Sequence, residues 1–188
     1  MPELPEVEIH ARNLRRWLVG KRIDRHEVTD RLLLDGQPVE RWAVLDGSRV
    51  EAVERDAKYL LIRLGHSSGP HTLVAHLRMT GRFVKDDYMA GPVEKPTRLA
   101  LLLESGERVR FEDRRRFGRA WVVRSAEVRS LPELSGLGPD ALLAPASYER
   151  LREVTARSGR SIKALLMDQR VIGGLGNICA IEILYRAG

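Results

Sequence analysis

Tyr59-Leu60-Leu61-Ile62-Arg63-Leu64, the turn residues His66-Ser67-Ser68-Gly69-Pro70, and Thr72-Leu73-Val74-Ala75-His76-Leu77 decide the fold class. Each apolar run is short and rich in residues that suit a pleated, buried surface, and Gly, Pro and Ser punctuate the gap between them. The stretch therefore reads as two β-type runs separated by a turn. The same texture extends outward from Lys21 to Arg124, with further runs at Val50 to Val53, Leu99 to Leu103, Arg108 to Glu112 and Ala120 to Val123. Turn clusters Asp46-Gly47-Ser48 and Glu104-Ser105-Gly106-Glu107 separate them, and Asp86 to Pro96, with Gly91 and Pro92, reads as an exposed loop. Many short strands without intervening helices point to an antiparallel sandwich or barrel.

A helix precedes this region. Pro5 suits a first helical turn, Glu6 and Glu8 suit the positive end of its dipole, and Val7, Ala11, Leu14 and Leu18 follow helical spacing up to Gly20. Beyond the strands, Leu131 to Pro145 is rich in Pro and Gly and reads as a linker. Ser147 to Ala156, Ser161 to Asp168 and Asn177 to Arg186 then look helical, the last begun by Gly173-Gly174-Leu175-Gly176. The expected class is α+β: an N-terminal antiparallel β-sandwich with a leading helix (1–130), a linker (131–146) and an incomplete all-α region (147–188). A helical remnant of about 40 residues is small for an independent domain, so a truncated chain is expected. No internal repeat or low-complexity tract stands out.

The chain has 188 residues, 43% of them hydrophobic and 31% charged, which fits a globular protein rather than a disordered one. A net charge of +6 suits a polyanionic partner, although an ordinary solvated surface gives the same balance. The single cysteine, Cys179, excludes an internal disulfide and any cysteine-rich zinc site built from this chain alone. No apolar stretch approaches the roughly 20 residues of a membrane span. The acidic start Met-Pro-Glu-Leu-Pro-Glu-Val-Glu is unlike a secretory signal, so cytoplasmic residence is expected.

Met1-Pro2-Glu3 is the most specific chemical signal. Removal of Met1 leaves Pro2 as a free secondary amine, able to attack a sugar aldehyde carbon and form an iminium. A generic α-amino group is neutral in about a quarter of molecules at pH 7.4, against about one in a thousand for an ordinary lysine. Glu3, next in the chain, could donate or accept a proton as the sugar ring opens. Read alone, these residues are also an ordinary acidic helix approach. Lys58 alone is equally a solvated surface lysine, His76 a strand histidine, and Met79 and Phe117 core residues. The glycine-rich turn before Asn177 is physically suited to phosphate, since a helix N-terminus offers unpaired N–H groups, but such a turn is also mere punctuation.

Taken together, the blocks resemble the formamidopyrimidine-DNA glycosylase family. They are Met-Pro-Glu-Leu-Pro-Glu-Val-Glu at the start, Ala57-Lys58-Tyr59-Leu60-Leu61, His76-Leu77-Arg78-Met79-Thr80-Gly81, Asp113-Arg114-Arg115-Arg116-Phe117-Gly118, Ile162-Lys163-Ala164-Leu165-Leu166-Met167-Asp168, Gly174-Leu175-Gly176-Asn177-Ile178 and Glu182-Ile183-Leu184. They span the whole chain in the family's order. The resemblance implies a base-excision repair glycosylase that also cleaves abasic sites by β,δ-elimination through a Schiff base on its N-terminal proline. Leu4 and the following Pro-Glu-Val-Glu are similar to the oxidised-purine branch, which implies 8-oxoguanine and formamidopyrimidine substrates in double-stranded DNA, monomeric action and a bacterial, nucleoid-associated setting.

By position, the resemblance makes Pro2 the nucleophile, Glu3 the acid/base and Lys58 the lysine near the damaged nucleotide. His76 becomes a phosphate contact. Met79 and Phe117 match the side chains that fill the hole left by a flipped base, with Arg115 facing the orphaned partner. The terminal helices become a partial helix-two-turn-helix motif, with Asn177 a phosphate ligand and Lys163 near the same groove. Relatives carry a C-terminal zinc finger of four cysteines, so zinc is expected only in a longer parent protein and no metal or other cofactor in this chain. Arg114 stands where many relatives have Pro, Ile181 where they have a polar residue, and Cys179 where Tyr is usual. Cys179 is expected to pack as a small buried hydrophobe.

Two other readings follow from the same residues. A non-catalytic damaged-DNA-binding remnant of the family would keep DNA affinity without Pro2 and form no covalent complex. An unrelated basic β-protein binding RNA or single strands would need stacking aromatics, and only 5% of this chain is aromatic.

Overall fold

The computed structural model describes residues 2–86, 96–144 and 148–188. Met1, most of the loop read over Asp86 to Pro96, and the end of the linker lie outside the described residues. Helix α1 spans Leu4–Leu18 and buries Leu4, Val7, Ala11, Leu14 and Leu18, so the helical spacing of its apolar residues becomes its inward face. Pro5 lies in its first turn, and the Glu3 backbone N–H donates to Glu6 Oε2 at 2.9 Å, satisfying a donor that the helix start leaves free.

Eight strands follow: β1 Ile23–Val28, β2 Arg49–Asp56, β3 Tyr59–His66, β4 Gly69–His76, β5 Arg82–Asp86, β6 Thr97–Leu103, β7 Arg108–Glu112 and β8 Arg119–Arg124. They form two four-stranded antiparallel sheets among the described residues, ordered β1-β6-β7-β5 and β2-β3-β4-β8. The six β-type runs read from the sequence are all strands; β1 and β5, too polar to show as apolar runs, are additional. The main core lies between the sheets, where Leu60, Ile62, Leu73 and Val122 meet Leu99, Leu101, Val109 and Phe111, closed by α1.

A second apolar layer covers the outer face of the β2-β3-β4-β8 sheet. Tyr59, Leu61, Val74, Trp121 and Val123 pack there against Val128 and Leu134. Burial on both faces explains why β3 and β4 read as nearly continuous apolar runs instead of alternating ones. It also gives residues 131–137 a packing role: short helix α2 (Pro132–Ser135) plugs Leu134 into that layer, with Leu131 and Leu137 beside it.

The remaining helices are α3 Tyr148–Ala156, α4 Ile162–Met167 and α5 Asn177–Ala187. Ser161 caps α4 by accepting the Ala164 N–H. The buried cluster of this half is small, being Leu166, Ile172 and Ala180. Among the described residues no helix is long and apolar enough to cross a membrane.

Candidate functional site

The Glu3 carboxylate, 3% exposed as a residue, sits at the N-terminus of α5. It accepts N–H bonds from Gly176 at 3.0 Å, Ile178 at 2.8 Å and Cys179 at 2.9 Å. The Leu4 N–H returns the contact by donating to the Gly174 carbonyl at 3.1 Å. Residues far apart in sequence thus join the start of the chain to its last helix. A Cβ on Gly176 would lie 2.4 Å from the Glu3 carboxyl carbon, so glycine is needed there for the close approach.

The amides that the sequence offered to phosphate are therefore taken by the protein's own carboxylate. Burial pushes the Glu3 carboxyl up, but bonds from the Cys179 thiol, the Cys179 and Ile178 amides and the Lys58 charge outweigh it, and the net shift is downward. Glu3 is a carboxylate near neutral pH. Cys179 departs from the expectation of a buried hydrophobe: it is half-buried, its backbone N–H donates to Glu3 Oε2 at 2.9 Å, and its thiol faces the same carboxylate closely enough to lower its pKa. Burial, reinforced by the adjacent carboxylate, raises that thiol to about 11, which keeps it protonated and a donor.

Lys58, also buried, follows Ala57 in the tight turn between β2 and β3. Burial pulls its ammonium below the ordinary lysine range, partly offset by the negative charge of Glu3. Ala57 has φ +52°, a left-handed conformation unusual for a residue with a Cβ. Neighbouring groups hold it there. Its N–H donates to Asp140 Oδ2 at 2.8 Å, and its carbonyl accepts from Arg55 at 2.9 Å. The Arg55 side chain, fully buried, also grips both oxygens of Asp140 and reaches Glu8 Oε2 at 3.0 Å. Asp140 in turn accepts the Leu142 and Leu143 N–H groups at 2.9 Å each. The segment read as a linker thereby supplies the anion that fixes the turn carrying Lys58.

His76 ends β4 as a buried ring packed edge-on against Tyr59, with centroids 4.6 Å apart. Burial, with Arg78 and Lys58 nearby, pushes its pKa down to about 3. Its Nδ1 accepts the Arg78 N–H at 3.0 Å, which leaves Nε2 to carry the proton. His76 can offer a phosphate one neutral N–H donor rather than a positive charge. Met79 and Phe117, 39% and 46% exposed, line one cavity of about 340 Å³ with Arg78 and Arg119. The Arg115 guanidinium lies 4.7 Å from the centre of the Phe117 ring, a cation–π contact.

Lys163 is half-buried on α4, and Asn177 is exposed at the first position of α5. Among the described residues neither side chain makes a hydrogen bond or joins the two groupings above. The structure thus brings Glu3 and Lys58 together and sets Met79, Arg115 and Phe117 around a second focus. The reading of the sequence missed Arg55, Asp113 and Asp140, which are buried here and which no spacing set apart from ordinary surface charges. No cluster of three His, Cys, Asp or Glu side chains suited to a metal exists among the described residues. With Cys179 as its one thiol, this sequence does not form a four-cysteine zinc site by itself.

Two family descriptions match the chain: "Formamidopyrimidine-DNA glycosylase N-terminal domain" over residues 1–120 and "Formamidopyrimidine-DNA glycosylase H2TH domain" over residues 137–188. A curated formamidopyrimidine-DNA glycosylase of Moorella thermoacetica is 41% identical over all of this chain and 68% of its own length. One of Stutzerimonas stutzeri is 42% identical, with 67% of its length covered. A solved complex of Lactococcus lactis Fpg with DNA containing an abasic site superposes with a TM-score of 0.88 at 28% identity, covering 98% of this chain and 66% of that one. The chain spans about two thirds of the length of the relatives it matches.

Proposed function

The chain belongs to the formamidopyrimidine-DNA glycosylase family, and on that premise we propose that it serves base-excision repair as a glycosylase and abasic-site lyase on duplex DNA. Its substrates are 8-oxoguanine and formamidopyrimidine lesions and ready-made abasic sites, and it acts as a monomer in the bacterial cytoplasm. The observation that carries this reading is the ionised carboxylate of Glu3, one residue from Pro2 and seated on the α5 amides with Lys58 in electrostatic reach.

Once Met1 is removed, the neutral Pro2 nitrogen attacks C1′ of the lesion nucleotide, and the C1′–base bond breaks with its electron pair going to the departing base. Glu3, already a carboxylate, takes the proton that the amine loses and passes it to O4′ as the sugar ring opens, leaving an iminium on Pro2. Loss of a C2′ proton then expels the 3′ phosphate, and a second elimination expels the 5′ phosphate. Lys58 sits on the positive side of this exchange, where its lowered pKa suits proton transfer. Met79, Phe117 and Arg115 fill the vacated stack, while His76, Lys163 and Asn177 approach phosphates.

Borohydride trapping on a duplex with one abasic site tests this, using protein whose N-terminus is confirmed as Pro2. The expected result is a covalent adduct that maps to Pro2 and is absent from Pro2→Gly and much reduced in Glu3→Gln. Salt-sensitive binding with no adduct would favour the non-catalytic remnant instead.

A further inference from the structure

The strands on either side of two loops place those loops side by side. Loop 77–81 leaves β4 and crosses to β5 in the other sheet, and loop 113–118 leaves β7 and crosses back to β8. His76 pairs with Arg119, and Arg82 pairs with Glu112, so both crossings run along the same end of the sandwich. One carries Met79, and the other carries Arg115 and Phe117. Each contains a left-handed residue other than glycine, Arg78 at φ +52° and Arg116 at φ +59°, so each needs outside bonds to hold its shape.

Those bonds exist. The Arg78 N–H donates to His76 Nδ1 at 3.0 Å, and Arg116 donates to both oxygens of the buried Asp30 at 2.6 and 2.9 Å. Asp113, 1% exposed, closes its own loop by accepting the Arg115 N–H at 3.1 Å and the Gly118 N–H at 2.7 Å. The same carboxylate accepts the Thr80 hydroxyl from the neighbouring crossing. Both loops also rest on one ring: a Cβ on Gly81 or Gly118 would lie 2.9 or 2.6 Å from Phe111 Cζ.

We propose that Thr80 and Asp113 are positioning residues that lock the two crossings into one rigid unit, so that Met79, Arg115 and Phe117 enter a duplex as a single wedge. The proposal rests on the DNA reading above. Opening a base stack is costly, and side chains already held in their final arrangement lose less freedom on insertion than two independent loops would. The Thr80–Asp113 bond is the part of the network that can be cut without touching Asp113's bonds to its own loop. Thr80→Val removes that hydroxyl at nearly constant volume, and with it the 3.3 Å bond that Thr80 Oγ1 accepts from the Arg115 N–H across the two crossings; Thr80→Ser keeps both.

Trapping rates are compared on an abasic strand in duplex and in single-stranded form, together with the fluorescence of 2-aminopurine placed opposite the abasic site. Thr80→Val is expected to trap about tenfold more slowly on duplex, a loss set mainly by the hydrogen bond to the buried Asp113 carboxylate and to a lesser degree by the bond from the Arg115 N–H. On single strand, where no wedge is needed, it stays within about twofold of the unaltered chain, and Thr80→Ser restores the duplex rate. The 2-aminopurine signal on saturating binding falls in Thr80→Val. Equal behaviour of Thr80→Val and the unaltered chain on duplex overturns the lock, and so does an equal loss on both substrates. If the unaltered chain traps neither substrate, the lyase reading fails, and the 2-aminopurine comparison alone decides the lock.

Discussion

The two halves of this molecule are held together by different physics. The β half is closed on itself, with a core between its sheets and an outer layer sealed by Val128 and Leu134. Among the described residues, the buried cluster of the helical half is Leu166, Ile172 and Ala180, and α5 leaves Ile178 at 60% and Tyr185 at 84% exposure. What fixes it to the sandwich is a polar seam: Arg55 and Ala57 on Asp140, and Glu3 on the amides of α5. The lesson is that the bonds of the seam are the bonds of the site. Opening the seam is expected to separate Glu3 from Lys58 while the sandwich stays folded.

The largest break is expected from Asp140→Ala. It leaves Arg55 buried with only Glu8 and the Ala57 carbonyl as partners, and loss of one member of a buried pair costs about 3–5 kcal/mol. Hydrogen exchange checks the location: amides of α4 and α5 should exchange faster while those of β3 and β4 keep their protection. Gly176→Ala comes next, because its Cβ collides with Glu3. Displacing a reacting group by about 1 Å costs on the order of 100-fold, so the trapping rate should fall by about that much with the sandwich core unaffected.

His76 sharpens the comparison from the other side, since its neutrality belongs to the β half. Its folded pKa of about 3 lies below the ordinary 6.5, so the unfolded chain binds the extra proton. The stability from its neutral form is fully present above about pH 6.5 and is lost progressively as pH falls towards about 3. His10, also lowered by burial and by Arg82, acts in the same direction. Denaturant titrations should show a falling midpoint from pH 6.5 to 4.5, flattened in His76→Gln and not in Lys163→Gln.

The smallest effect is expected at Cys179→Ala. Without the thiol donor Glu3 moves back towards the ordinary carboxylate value, so the acid limb of the trapping profile shifts to higher pH, while the rate at neutral pH changes by less than about tenfold.

Much of the fold was legible because burial writes itself into the sequence. α1 showed its inward face as a helical stripe, and β3 and β4 showed double burial as unbroken apolar runs. β1 and β5 were hidden by their polar composition, as Ile23-Asp24-Arg25-His26 illustrates. In the site, Pro2, Glu3 and Lys58 were visible through motifs. What no local pattern showed was who would occupy the α5 N-terminus, because the glycine turn offers the same amides to a phosphate or to Glu3. Asp140 and Asp113 look like ordinary loop carboxylates until the fold buries them against Arg55 and Thr80. Such partners lie dozens of residues away, beyond the reach of spacing arguments.

The central claim is that a carboxylate from the sandwich half is held ionised by amides of the helical half. The most direct measurement is a carboxyl-carbon NMR titration of the full chain, with the Glu3 resonance assigned by its absence in Glu3→Gln. The account predicts a midpoint below the ordinary 4.5, moving upward in Cys179→Ala and in Gly176→Ala. A Glu3 that titrates at or above 4.5 and ignores both substitutions would contradict it.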